Sequence, residues 1–568
     1  MTTYTYRKTH KLIYPLVMIS VFFSASEGYS RFGPGNVQDD QLFTSSQSCS
    51  KCHNDLFSAD EEVDTSYVSR WETTMMRFSF YDPFWRAKVR SETIQNPEYQ
   101  EQIEKKCLPC HAPMAYKQME VDDSPQSLFD SGGLIDSTNP YHNLAMEGIS
   151  CTLCHQIMED ETHSGSYSIA ENRVAWGPYN PDYQNMMNRL SGFTPEQSSH
   201  LNGPGFCAAC HELYTPYFDE DGNFITDDPF PEQTPYGEWL ASSYSEEGGE
   251  TCQSCHMQKV PSSVISKLPD QVTQREDVFV HTFFTENTMM LDIITSLAEE
   301  EGLDIPDITD AVDDGRDYLE GAGEIEITQS GWQDFDMDGL KNDLTVTLEV
   351  INNSGHKLPT SIPIRRVFIH FAVYGVQDNG NEVEVFSSGN TDEEGRIVGV
   401  EADDNNLAYE PHYDQITNEE QVQIYEGIMG RIEGEIPIVT YTLLQASMFI
   451  KDNRLLPKGM DPLTAPEDIQ PKGEEVVNDG NFTGGKDTIV YIARNLKNMN
   501  DNAKHNFNTF RIEAELKDQT LSYRMIHELE DVVDDDSGVI ERFLEEHQHH
   551  KLQYELIHRD EEYISAIE

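Results

Sequence analysis

Along the C-terminal half of the chain, apolar and polar residues alternate with period two in six runs: Leu344 to Val350, Val367 to Tyr374, Glu382 to Phe386, Ile436 to Leu443, Thr488 to Ala493 and Thr509 to Leu516. Alternation broken by turn residues predicts strands with one buried face, and six such runs predict an antiparallel β-sandwich domain over residues 326–530. The texture upstream is different. Between residues 45 and 290, short stretches such as Pro97 to Lys106 read as helices and are cut by Gly132-Gly133, Trp176-Gly177-Pro178 and Gly203-Pro204-Gly205, so short helices and loops are expected. A helical pattern from Asn287 to Leu319 predicts a helical linker over 291–325, and a charged amphipathic pattern from Ser537 to Ile567 predicts a C-terminal helix within 531–568. At the N-terminus, Arg7, Lys8 and Lys11 precede the apolar run Leu12 to Phe23 and the small residues Ser24, Ala25 and Ser26. This is the pattern of a signal peptide over residues 1–28. The run is short of the roughly twenty residues that span a bilayer, so no stable membrane span is expected after cleavage and the mature chain is expected in the periplasm or outside the cell.

Charge narrows the partners. With 101 acidic and 39 basic side chains the formal charge is −62, which excludes nucleic acid as a partner. Such a field favours solubility and steers basic partners, and it fits adaptation to saline surroundings equally well. The acidic run Glu528 to Asp536 and the segment Asp219 to Asn223 read as solvated turns.

All ten cysteines fall in five Cys-x-x-Cys-His pentads: Cys49, Cys52 and His53; Cys107, Cys110 and His111; Cys151, Cys154 and His155; Cys207, Cys210 and His211; Cys252, Cys255 and His256. The spacing is that of covalent c-type haem attachment, in which two thiols close on the haem vinyl groups and the adjacent histidine ligates one face of the iron. A zinc-ribbon array is the competing reading. Five haem c groups are therefore expected as cofactors, with His53, His111, His155, His211 and His256 as proximal ligands. Each motif has too little chain for an independent core, which predicts closely stacked haems that form much of the core themselves.

The second face of each iron separates carriers from catalysts, because two strong protein ligands leave no room for substrate. His142 and His200 lie shortly upstream of the third and fourth pentads, behind glycine-containing segments that can fold back. His281 sits among apolar residues in Val278-Phe-Val-His-Thr-Phe-Phe, where a buried imidazole needs a partner. His356 lies in the Gly/Pro-bracketed loop Asn352 to Thr360, from which it can reach from the sandwich to the haem layer. Met75 and Met76 are possible thioether ligands, or core filling. His163, His370 and His412 carry no special context, and His547, His549 and His550 read as a solvated patch. Asp334, Asp336 and Asp338 alternate as in a calcium loop, but Thr345 stands where the bidentate glutamate is expected, so calcium competes with an acidic turn.

Several segments resemble one family of exported bacterial multihaem cytochromes c, whose haem region is similar to that of the tetrahaem cytochromes of ammonia oxidisers. They are Trp71 to Pro83, Glu147 to Ile157, Cys207 to Leu213, Glu232 to Trp239, Cys252 to Met257, Asn353 to Thr360 and Lys451 to Met460. The resemblance implies a pentahaem cytochrome c domain over residues 45–290 packed beside the β-sandwich. It further implies His142, His200, His281 and His356 as distal ligands, with Met76 or Met75 as the fifth. The function expected is electron transfer between redox partner proteins, against two alternatives: a reductase with one open haem face, or a self-associating filament subunit.

Overall fold

A computed structural model describes residues 41–566, apart from 61–62, 161, 336, 338–340, 406, 497–506, 534–536 and 551–552. The expected signal peptide and Asp336 and Asp338 of the suggested calcium loop lie outside the described residues. The C-terminal region contains ten strands that we number β1 (Gly323–Gln333), β2 (Asp343–Asn352), β3 (Arg366–Gln377), β4 (Glu382–Ser388), β5 (Ile424–Glu433), β6 (Ile436–Val439), β7 (Met448–Asp452), β8 (Lys486–Ala493), β9 (Phe507–Gln519) and β10 (Glu555–Ser565). One sheet runs β6-β5-β3-β9-β10, with β4 also on β3 and β7 also on β5. The other runs β8-β2-β1, with the two-residue strand Gln415–Ile416 on β8.

The inward residues of both sheets share one core. Val346, Leu348 and Val350 of β2 and Ile489 and Tyr491 of β8 pack with Ile369, Phe371 and Val373 of β3 and Phe510, Ile512 and Leu516 of β9. These are the apolar positions of the period-two runs, and Phe371 stacks on Tyr491 with ring centroids 4.1 Å apart. Along one edge the sheets are tied by side chains of β10, since Ile325 N–H donates to His558 Nδ1 at 3.2 Å and Ile327 N–H to Asp560 Oδ2 at 2.8 Å.

Four strands are unmarked by alternation. β5 is buried on both sides, so its pattern is continuous rather than alternating. Its glycines are required by close packing: a Cβ at Gly430 would lie 2.5 Å from the Ile450 side chain, and one at Gly427 3.0 Å from Phe449. The expected C-terminal helix is corrected. Helix forms only over Val539–His549, after which Glu555–Ser565 becomes β10, antiparallel to β9. Its charged sequence has little strand propensity of its own. The open edge of β9 supplies backbone partners, and Arg559 pairs with Glu513 across the ladder. The run Ile436 to Leu443 is strand only as far as Val439.

Helices Thr288–Glu301 and Thr309–Glu320 occupy the segment expected as a linker. Met290, Ile294, Leu297 and Val312 pack with Phe78 and Phe84 from the N-terminal region and with Met525, Leu529 and Phe543 from the C-terminal end, so the segment is core shared by both halves. Among the described residues no helix is long and apolar enough to cross a membrane.

One buried polar group in the β region is conspicuous. His412 lies with Asp479 and Asp487 at a spacing that would suit a metal. Its Nδ1, however, accepts from Gln423 Nε2 at 2.8 Å and Asn453 Nδ2 at 3.1 Å, so the proton sits on Nε2 and is donated to Asp479 at 3.0 Å. The nitrogen facing the carboxylates is thus a donor, not a lone pair for an ion. Burial pushes Asp487 up to about 6. A carboxyl raised on folding stabilises when protonated, so its contribution is full below about pH 4 and is lost as pH rises through about 6. We expect Asp487→Asn to match wild type in urea unfolding near pH 4 and to exceed it by about 2 kcal/mol at pH 7.5. A pH-independent difference would contradict this account.

Candidate functional site

The five pentads sit on short helices or helix ends: Gln47–His53, the C-terminal turn of Gln100–His111, Cys151–Cys154 followed by His155, Gly205–His211, and Cys252–His256. In this geometry cysteines three apart share a face. The last of these helices is started by a reciprocal cap between Thr251 and Ser254. The helices converge so that thiols of different motifs lie against one another: Cys49 on Cys151, Cys110 on Cys210, and Cys207 on Cys252. Burial pushes Cys154 up to about 12, which keeps that thiol protonated. None of the ten cysteines is in a disulfide, and none belongs to a cluster of three or more candidate metal ligands among the described residues. Without a third and fourth ligand close by, these thiols do not make the tetrahedron of a zinc ribbon.

A continuous, largely apolar cavity of about 1020 Å³ runs between the first, third, fourth and fifth motifs. Its wall also carries His281, His356, Met75 and Met76. The second motif lies apart from this wall, within a separate core that holds Phe80, Trp85, Leu108, Ala112 and Ala145.

Six of the histidines are held in one way. Nδ1–H donates to a backbone carbonyl in His53 (Ile265, 2.6 Å), His111 (Ser79, 3.1 Å), His155 (Trp176, 2.6 Å) and His256 (Phe284, 2.9 Å). His142 does the same to Leu134 at 2.8 Å, and His356 to Lys357 at 2.9 Å. Such a bond fixes the tautomer and leaves the Nε2 lone pair to face a metal. Burial lowers His111 and His256 to about 4 and His281 to about 3, so these imidazoles are neutral at pH 7 and competent as ligands.

Two pairs face each other. The rings of His155 and His281 are 8° from parallel with centroids 6.3 Å apart, and those of His256 and His356 are 19° from parallel at 6.2 Å. Two imidazoles that share one metal from opposite sides, each nitrogen about 2 Å from it, place their ring centroids about 6.3 Å apart. The residues present therefore fit a haem iron at the third and fifth motifs.

The other candidates are placed differently. His200 has both ring nitrogens engaged, Nδ1 with Ser198 Oγ at 2.7 Å and Nε2 with the Ile157 carbonyl at 2.9 Å, so neither is directed at the cavity. His142 lies beside Phe80, with ring centroids 6.3 Å apart, in the surroundings of the second motif. Both methionines line the cavity, but Met75 also packs against the helical core around Phe78 and Leu291, whereas Met76 belongs to no apolar cluster. His163 contacts Ser164 and Tyr214, His370 bonds Glu515 and Asn390, and His547 is buried against Phe543. Asp334 approaches no metal-sized cluster among the described residues.

Two aromatic residues escaped the sequence reading. Tyr67 stands edge-on between His53 and His281, at 6.2 and 4.7 Å, and Trp85 stacks on His111 at 4.5 Å and 9°. The helices bearing them offer no periodicity that points to a cofactor.

No family model matches this chain, and no curated protein matches it. Among solved structures it is similar to a penta-heme cytochrome c552 from Thermochromatium tepidum, at 12% identity and a TM-score of 0.46, with 92% of this chain and 99% of that chain covered.

Proposed function

We propose that the chain is an exported electron-transfer protein that carries five haem c groups in the periplasm or at the cell surface. The observation that carries this reading is the two pairs of facing histidines, His155 with His281 and His256 with His356, at the separation a shared iron requires. When bound, the haems supply reversible one-electron chemistry, and two protein ligands per iron exclude substrate. The chain's own part is to attach each group through its two cysteines, orient most of the imidazoles through a backbone carbonyl, and enclose the sites in apolar surface.

The thiol contacts support a spatial order that differs from the order in sequence. The first motif adjoins the third (Cys49 with Cys151), the fourth adjoins both the second (Cys210 with Cys110) and the fifth (Cys207 with Cys252), and Cys154 of the third is an electrostatic neighbour of Cys207 and Cys210. The path this supports runs first, third, fourth, fifth, with the second joined at the fourth. Met76 is the thioether we assign as an axial ligand, since Met75 shares its packing between the cavity and the helical core. Partners in this reading are redox proteins with basic faces, attracted by the formal charge of −62.

A second reading, a reductase with one open haem face, is favoured by one observation: the engagement of His200 Nε2 by the Ile157 carbonyl. Electron paramagnetic resonance separates the two. Purified protein with the mass of five haems and only low-spin signals supports the carrier; a high-spin signal with one carbon monoxide bound per chain supports the reductase.

Three substitutions test the ligands. His281→Ala and His356→Ala are each expected to convert one haem in five from low to high spin, and an unchanged spectrum ends that residue's assignment. Met76→Ala is expected to perturb one haem and lower its potential, while Met75→Ala leaves all five spectra intact and costs only stability; the reverse result selects Met75. His200→Ala separates the two readings: loss of one low-spin signal would show that His200 leaves Ile157 to ligate iron and completes the carrier, and an unchanged spectrum supports the reductase.

A further inference from the structure

Three segments far apart in the chain, Glu232 to Trp239, Asn353 to Thr360 and Lys451 to Met460, meet at one buried point beside His356. Glu238, on the helix Pro235–Leu240, is fully buried. Its Oε2 accepts from the Lys357 backbone N–H at 3.0 Å and from Thr360 Oγ1 at 2.6 Å, and its Oε1 accepts from Thr234 Oγ1 at 3.1 Å. The Lys357 ammonium, itself fully buried, reaches Asp452 Oδ2 at 2.6 Å. Arg454 grips the same carboxylate through Nε at 2.8 Å and Nη2 at 2.7 Å, and its Nη1 stands 3.7 Å from Glu238 Oε1. Two anions and two cations therefore close a neutral, water-excluded set.

Lys357 is the grip of this set on the ligand. Its N–H is bound by Glu238, and its carbonyl receives Nδ1–H of His356. The loop is further seated on the motif region where Tyr244 O–H donates to the Asn353 carbonyl at 2.8 Å and Gly355 packs on Trp239. We propose that Glu238 is the positioning residue that holds His356 in place opposite His256, so that the iron site of the fifth motif is complete only while the β region is docked on the motif region. This rests on the reading that those two histidines share one haem. Removing the Glu238 charge leaves an excess of buried positive charge and replaces one accepting oxygen with an NH2 donor that meets Arg454 or the Lys357 and Thr360 donors, which is a reason for the loop to withdraw.

The test compares full-length holoprotein of wild type, Glu238→Gln, His356→Ala and the double variant by electron paramagnetic resonance and carbon monoxide titration. His356→Ala is expected to give one high-spin haem in five. Glu238→Gln is expected to give the same signal and to bind one carbon monoxide per chain, and the double variant to add nothing to His356→Ala. If His356→Ala converts one haem while Glu238→Gln stays fully low-spin and inert to carbon monoxide, Glu238 has no positioning role. If His356→Ala itself changes nothing, the shared-iron reading fails and the proposal falls with it. Should Glu238→Gln not yield holoprotein, Thr360→Val deletes one bond only. It is then expected to tighten imidazole binding at one haem about tenfold, and wild-type affinity overturns the proposal.

Discussion

The separation between facing histidines is the constraint to which the rest of the molecule answers. A metal shared by two imidazoles tolerates little error in the distance between them, and the chain meets this distance with residues contributed by remote segments. His281 follows the strand Gln274–Phe279, which pairs with Lys259–Val264 just after the fifth pentad, while its partner His155 belongs to the third. His356 comes from the loop between β2 and β3, and its partner His256 from the fifth pentad. No local feature sets either distance. His155, His256 and His356 are instead fixed twice, by their place on a hydrogen-bonded frame and by a carbonyl that holds Nδ1, while His281 is held by its place after the strand and by Tyr67 and Phe283 packed edge-on against its ring.

This explains what the sequence could and could not convey. Covalent attachment demands two thiols and an imidazole within five residues, so the pentads declare themselves with no knowledge of the fold. The histidines proposed as distal ligands were reachable because a buried imidazole in an apolar run or a Gly/Pro-bracketed loop asks for a partner. Which pentad each would face was not legible, since that is a tertiary distance. His200 shows the limit: its position upstream of a pentad resembles that of His142, yet only the fold reveals the Ile157 carbonyl at its Nε2. The strands divide in the same way. β2 and β8 alternate because one face meets the shared core and the other is more open, and β3 alternates although both its faces are buried because its second face carries Arg366 and His370. β5 is hidden because both its faces are covered, and β10 because a charged sequence is recruited as a strand by the free edge of β9. Local propensity is weak where a ladder partner is waiting.

Electrostatics acts at two scales that should be kept apart. The formal charge of −62 is spread over a hydrated surface, where screening limits its effect to solubility and long-range steering. The four charges around Asp452 are few but are sealed from water, where an unpaired member would be costly. Burying such a set adds little net stability compared with apolar packing, because desolvation offsets much of the attraction. Its use is to specify arrangement. Lys357, Asp452, Arg454 and Glu238 can be satisfied together only when the β region meets the helix Pro235–Leu240 in one register, and that register is the one that presents His356 to His256.

The interleaving of the motifs accounts for why the β region is needed at this particular end. The third pentad faces a histidine carried downstream of the fifth, so an internal site is closed by a segment that later motifs bring with them. The fifth pentad is the last, and no further motif follows to supply its second face. The chain meets that need from the loop between β2 and β3, and a loop brought from another region holds a distance of 6.2 Å only if it is anchored at both ends. Asn352 secures the start, donating through Nδ2 to the His356 and Leu455 carbonyls, and Thr360 secures the end on Glu238. Between those anchors the histidine has no slack in which to drift. The coupling between sheet and motif therefore follows from where the last pentad falls in the chain: a site without a successor must borrow its closure, and what is borrowed must be fastened.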